Sequence, residues 1–232
     1  MKTIGVIGGI GPHATMDFET RVHRVSQKLI PQKLNGGHPP MIVHYCRHPP
    51  IKVREDGQAI VPLEADPRFI DAARRLGPLV DFLVIISNGA HALAQQVEQA
   101  SGRKVLSMID ATIAEVRRCG WKRVGVLTLG GPMIYTRPLE ALGIACETIE
   151  DDSGARDRLY GAIFRSMEGH FDEEGQSAAR DAVATLRKRG VEAIILGCTE
   201  IPLLYGAGAD SESDVINPTQ CLAEATVKHA MT

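Results

Sequence analysis

Two stretches of the chain carry the residue types best suited to chemistry. "VDFLVIISNGAH" covers residues 80–91 and "VEAIILGCTEIP" covers residues 191–202. Each opens with a valine and an acidic residue, runs through aliphatic residues, and reaches a small nucleophile seven residues after the valine: Ser87 in one, Cys198 in the other. A thiol has a reference pKa of about 8.5, and a helix end or a cation pulls it toward neutrality. A serine hydroxyl does not become a comparable anionic base unless another group activates it. Asn88 and Thr199 come next, and both are good N-cap types, so each nucleophile is expected where a strand ends and a helix begins. The first helix is expected to run to about Ala100 with Gly102 past its end; the second is shorter and interrupted by Pro202. Exposed N–H groups and a positive helix end suit a bound carboxylate at both places, and the same field is expected to favour a thiolate at Cys198. Packing is the competing reading of a cysteine at a buried strand. The matching nucleophile in the other stretch favours chemistry.

The elements that must position these residues follow from an internal repeat. "KTIGVIGGIGP" at Lys2 matches "KRVGVLTLGGP" at Lys122 at an offset of 120, the nucleophile pair has an offset of 111, and "KVLSMIDAT" near Val105 matches "SDVINPTQ" near Val215 at 110. Three matches in order, at drifting offsets, describe a duplicated unit with insertions. Short β-branched runs predict strands near 3–7, 41–45, 82–86 and 104–108, then 123–128, 144–149, 192–197 and 214–217. Between them lie helical patterns, such as the stripe of Phe18, Val22, Val25 and Leu29. Strand–helix alternation of this kind gives parallel sheets. The expected fold is α/β, with two similar doubly wound lobes related by a pseudo-twofold axis. Residues 1–109 with the returning segment 210–232 form one lobe, residues 110–209 the other, and the active site lies in the cleft between them. Ligands of such sheets bind beyond the carboxyl ends of the strands, where Ser87 and Cys198 would flank one ligand.

Composition narrows the partner. With 44% hydrophobic and 4% aromatic residues, the chain has the content of a globular α/β protein with an aliphatic core. A net charge of -2 and the lack of a dense Lys/Arg run argue against nucleic acid and lipid surfaces and leave a small molecule as the partner. The longest apolar run, "FLVII", is far short of a membrane span. The opening "MKTIGVIGGIGP" reads as a strand and turn rather than a signal peptide. Five cysteines, at 46, 119, 146, 198 and 221 with no CxxC, read as free thiols in a reducing compartment, so a cytoplasmic location is expected.

"IGVIGGIGP" at the start, "SNGAH" after the third strand and "LGCTEIP" after the seventh resemble the aspartate/glutamate racemase superfamily, in particular its aspartate racemase branch. The resemblance covers nearly the whole chain, and "GCTEI" from Gly197 to Ile201 is its most specific element. It implies cofactor-independent racemisation, in which two cysteines on opposite sides of the substrate α-carbon exchange the roles of base and acid. Inversion calls for this, because a base that removes a proton from one face does not readily return it to the other. It also implies a homodimer acting on an amino acid or dicarboxylate, with Gly11, Asn88, Gly89 and Thr199 at the substrate. "RHPPIKVRED" aligns with the loop whose arginine takes a distal carboxylate, which places Arg54 there with Arg47 as the neighbouring option, and "ARDRLYGAIF" places Arg158 at a second basic position. A solvated charge is the competing reading of either arginine.

The chain departs from that pattern where it matters. Ser87 stands where the branch usually has cysteine, and Gly89 where it usually has threonine. The site is therefore expected to be asymmetric: it handles one enantiomer or direction better, or it performs a reaction needing a single proton donor, as in the malonate decarboxylases of the superfamily. A paralogue retained for ligand binding is the non-enzymatic alternative. His91 is expected either to orient its loop or to relay a proton to Ser87. Glu200 is expected either to tune the thiol or to serve as a first-turn carboxylate. Two other readings are set aside. Gly9, Gly11 and Ala14 fit a dinucleotide fingerprint, but "VHYCRH" stands where its acidic residue belongs. His44, Cys46 and His48 alternate along one strand without an evident fourth metal ligand. No metal or other cofactor is expected.

Overall fold

Strands built from unbroken aliphatic runs are buried on both faces, as parallel sheets covered by helices require. In the computed structural model of the chain, which describes residues 1–34, 36–53, 60 and 63–232, all strand pairs are parallel and fall into two sheets. The first sheet contains β1 (Ile4–Gly8), β2 (Met41–Tyr45) and β3 (Phe82–Ile85) in the order β2-β1-β3. The second contains β4 (Arg123–Leu127), β5 (Ala145–Glu147), β6 (Ala193–Leu196) and β7 (Val215–Ile216) in the order β5-β4-β6-β7. The chain divides into two compact units, Met1–Met108 with Leu222–Thr232, and Ile109–Cys221.

In the first unit, alternate residues of each strand serve opposite faces. Ile4, Val6, Val84 and Ile86 pack with Phe18, Val22 and Val25 of the Pro12–Leu29 helix and with Leu222, Ala223 and Val227. Ile7, Leu83 and Ile85 pack with Phe69, Ala73, Leu93 and Val97. Leu29, expected in the helical stripe, is exposed. In the second unit, Leu127, Ile194 and Leu196 pack with Leu159, Ile163, Ala182 and Leu186, while Val126, Ala193 and Ile195 pack with Tyr135, Leu139, Ile113 and Val116.

Two expectations about organisation are corrected. Residues 210–221 belong to the second unit rather than the first, because β7 lies beside β6 with Ile194 opposite Val215. The strand expected at 104–108 is only a bridge from Val105 to Leu83, and a helix already begins at Met108. Among the described residues no helix is long and apolar enough to cross a membrane.

The glycines at the end of β1 answer to close packing, Gly9 on the neighbouring strand and Gly8 on the helix that follows. Gly9 has φ +74, and a Cβ there would lie 2.6 Å from the Cys46 nitrogen and 2.7 Å from the Tyr45 Cα at the end of β2. At Gly8 a Cβ would meet the Thr15 Cγ2 at 2.5 Å. The buried Thr15 hydroxyl accepts from the Gly9 N–H at 2.8 Å and donates to the Gly11 carbonyl at 3.1 Å, closing the turn that enters the helix at Pro12. Gly9→Ala is expected to destabilise the fold, since a non-glycine left-handed residue alone costs about 1–2 kcal/mol and the methyl has no space. Thermal unfolding should show a lower midpoint, by about 2–4 °C per kcal/mol in a chain of this size; an unchanged midpoint would mean that the turn relaxes away from β2 freely.

Candidate active site

In the second unit, β6 ends at Leu196 and delivers Gly197, Cys198, Thr199 and Glu200 in succession. Gly197 is required by its surroundings: a Cβ would lie 2.9 Å from the Leu127 carbonyl oxygen and 3.0 Å from the ring of the fully buried Tyr135. This close approach seats Cys198 against the core, where it is 9% exposed. Its thiol donates to the Glu200 Oε2 at 3.1 Å, and the Thr199 hydroxyl donates to the same oxygen at 2.9 Å. Glu200 is itself only 5% exposed.

These contacts set the protonation of the sulfur. Burial first, and then the neighbouring Glu200 charge, push the Cys198 thiol well above its ordinary value; backbone N–H groups of Glu200 and Leu129 act on the sulfur in the opposite sense. The expected helix-end stabilisation of a thiolate is therefore corrected. The helix that follows, Ile201–Tyr205, is a single short turn, and Pro202 lies in its first turn instead of interrupting it. Thr199 is not its cap: Glu200 occupies that position, and no side-chain cap bond forms. The resting group is a protonated thiol hydrogen-bonded to a carboxylate. It can give a proton to a carbanion, or pass its proton to Glu200 and act as a base.

In the first unit, Ser87 stands one residue beyond Ile86 at the carboxyl end of β3, half-buried. Its hydroxyl lies 3.4 Å from the Ala90 N–H and has no cationic neighbour that would activate it among the bonds it makes. The following segment is a 3₁₀ turn, Gly89–Leu93, and only then an α-helix, Ala94–Ser101, closed by Gly102 at φ +67. Asn88 is buried in helical conformation and makes no cap bond, contrary to expectation. His91 is committed to the backbone. Its Nε2 accepts from the Met108 N–H at 3.0 Å, which leaves Nδ1 to donate to the Ser87 carbonyl at 2.8 Å. It orients the loop, and the proposed relay to the Ser87 hydroxyl has no free nitrogen to use. At Gly89 a Cβ would meet nothing within 4 Å.

The remaining expected residues divide. Gly11 is buried in the turn after β1, at the same sheet edge as Ser87. Arg47 is exposed just past β2 at that edge and makes no ion pair with a described residue. Arg54 lies outside the described residues. Arg158 forms a 3.0 Å ion pair with Asp181 on the surface, so its charge is already partnered. Cys46 belongs to the core, and burial followed by the Asp66 charge pushes its thiol up to about 11. Among the described residues no three His, Cys, Asp or Glu side chains group in a way that could hold a metal. Two positioning hydroxyls escaped the sequence reading: Thr15 in the first unit, and in the second Tyr160, which binds the turn after β4.

Comparison with known proteins gives the family and the fold. The profile of a family described as Asp/Glu/Hydantoin racemase matches residues 7–226. The broad specificity amino-acid racemase RacX of Bacillus subtilis (strain 168) is 26% identical over 234 residues, covering 97% of this chain and 96% of that one. Among solved structures, the aspartate racemase of Picrophilus torridus superposes with a TM-score of 0.76 at 22% identity, covering 100% of this chain and 95% of the other. An aspartate racemase homologue from Pyrococcus horikoshii OT3 gives 0.74 at 22% identity, with full coverage of both chains. At these identities the structures establish a shared fold.

The Cys198–Glu200 contact yields a test. Glu200→Gln removes a negative charge next to the sulfur, so the thiol should ionise at lower pH and react faster with a small alkylating reagent at neutral pH. The rate for Cys198, followed by peptide mass spectrometry across pH, measures this; a midpoint unmoved or moved upward would show that the carboxylate does not govern the thiol.

Proposed function

As the chain belongs to the Asp/Glu/Hydantoin racemase family, we propose that it is an amino-acid racemase for aspartate- and glutamate-like acids, with Cys198 transferring the α-proton and Ser87 as a weaker second acid/base group. The observation that carries this reading is the buried Cys198 thiol held on Glu200 at the end of β6, while a hydroxyl occupies the equivalent strand end after β3. Glu200 takes the thiol proton, the thiolate removes the α-proton of one enantiomer, and the carbanion is reprotonated by a water held at the Ser87 hydroxyl; the hydroxide left there is neutralised from solvent as Glu200 returns its proton to solvent. The chemistry needs no cofactor, because each step moves only a proton. Arg47, exposed without an ion-pair partner among the described residues, supports selection of a second carboxylate; Arg158 contributes no free charge. A homodimer is part of the proposal.

The two enantiomers have equal free energies in water, so kcat/KM must be the same in both directions however unequal the two groups are. The asymmetry therefore emerges elsewhere. The enantiomer whose proton is reached by Cys198 should exchange that proton with solvent faster than it inverts. A protonated thiol also favours a second reading, decarboxylation of a malonate-type acid: the bond to the departing carbon dioxide breaks, its electron pair remains on carbon, and the thiol proton fills it, leaving a thiolate that water reprotonates.

Deuterium incorporation at Cα, followed by NMR in D2O with each enantiomer of aspartate and glutamate, separates the readings. Exchange exceeding inversion for one enantiomer is expected, and Cys198→Ala should slow it by about 10²–10⁴-fold, the usual worth of a general acid/base. Wild-type exchange in Cys198→Ala would refute the assignment. No exchange from any of these acids, with release of carbon dioxide from a substituted malonate, would establish the decarboxylase; binding without either reaction would leave a ligand-binding protein.

A further inference from the structure

The turn after β4 has little packing to hold it. Gly130, at φ +79, and Gly131 are both exposed, and a Cβ at either would meet nothing within 4 Å. Yet the segment before them lies against the end of β6: the Gly197 N–H donates to the Leu127 carbonyl at 2.6 Å, and Leu129 packs on the core cluster that holds Cys198, its backbone N–H favouring the thiolate. Hydrogen bonds must therefore fix this turn. The Thr128 hydroxyl donates to the Gly130 carbonyl at 2.8 Å. The second anchor comes from far along the chain: the Gly130 N–H donates to the Tyr160 hydroxyl at 3.0 Å, and that hydroxyl donates to the Glu150 Oε1 at 3.0 Å, with the Gly130 carbonyl as a longer alternative at 3.3 Å.

We infer that Tyr160 is a positioning residue for Cys198, acting through the Gly130 turn to hold the Leu127–Leu129 segment against the strand end that carries Gly197 and Cys198. The inference rests on the reading of Cys198 as the proton-transferring group. Donation to a carboxylate makes the phenol oxygen a stronger acceptor for the Gly130 N–H, since hydrogen bonds in a chain polarise one another. Burial, and then the Glu150 charge, push the Tyr160 phenol up to about 12, so the hydroxyl keeps the proton that it donates. The first unit solves the same problem locally. There the N–H of the left-handed Gly9 is taken by Thr15, six residues on; in the second unit the acceptor lies thirty residues on and links the turn to the segment after β5.

Tyr160→Phe removes the anchor while keeping the ring. Alkylation of Cys198 across pH, resolved by peptide mass spectrometry with the exposed Cys119 as internal reference, should show the Cys198 midpoint moving to higher pH while that of Cys119 stays. Cα exchange should lose about 2–10-fold in kcat, the worth of one hydrogen bond, with KM nearly unchanged. Glu150→Gln keeps a neutral acceptor for the phenol and should give a smaller shift in the same direction, which preserves the test if Tyr160→Phe folds poorly. A Cys198 midpoint unchanged in both variants, or Cys198 and Cys119 moving together, would overturn the inference. The alkylation profile does not depend on turnover, so a wild-type protein without α-proton exchange would refute the racemase reading and still decide this one.

Discussion

A sulfur that is nearly shielded from water and hydrogen-bonded to a carboxylate is a poor place for negative charge, and the second unit is arranged around that fact. Desolvation disfavours the thiolate, and a like charge next to it disfavours it further. Backbone N–H groups of Glu200 and Leu129 oppose these two effects at Cys198. Under the proposed role of Cys198, how readily the Sγ proton passes to Oε2 depends on how well the backbone presents those donors. Gly197 is needed to bring the sulfur in, and the Gly130 turn adjoins the segment that carries one donor.

Parallel sheets explain why the chemistry gathers where it does. Every strand in each unit points the same way, so the segments after β1, β2 and β3 share one edge, as do those after β4, β5 and β6. Ser87 follows β3 and Cys198 follows β6, which hold corresponding places in the two sheets, but the two stations are chemically unequal. Cys198 has an acceptor for its proton 3.1 Å away. Ser87 has a backbone amide at 3.4 Å and a histidine spent on two backbone groups. A hydroxyl in that setting can donate a hydrogen bond or hold a water, and its ionisation has no support.

The repeat, the parallel strands and the stations of Ser87 and Cys198 were legible because strand ends and aliphatic runs have a local signature. The failures have physical reasons too. Asn88 and Thr199 are good capping types, yet the 3₁₀ turn after Ser87 and the carboxylate at Glu200 leave neither of them a cap to make. Val105 has strand character, but only the bridge to Leu83 forms before Met108 starts a helix. The match of Val215 to Val105 holds, since each lies beside the equivalent strand of its own sheet, but the lobe boundary expected at 210 does not, because pairing with Ile194 keeps residues 210–221 in the second unit. Thr15 and Tyr160 were invisible for a different reason: a side chain that holds a turn six or thirty residues away leaves no periodic trace. Glu200 is readable from sequence either as a residue that tunes the thiol or as a first-turn carboxylate, and the 3.1 Å contact selects the first.

The central claim is that Ser87 is the impaired partner of Cys198 in an acid/base pair. The open space at Gly89 permits the most direct test, the double change Ser87→Cys with Gly89→Thr. The quantity to measure is the ratio of Cα exchange to inversion for each enantiomer separately. The account predicts that the second thiol draws the two ratios together, with inversion rising against exchange for the enantiomer reached by Cys198. Ratios identical to those of the wild-type protein, in a variant that folds normally, would contradict it.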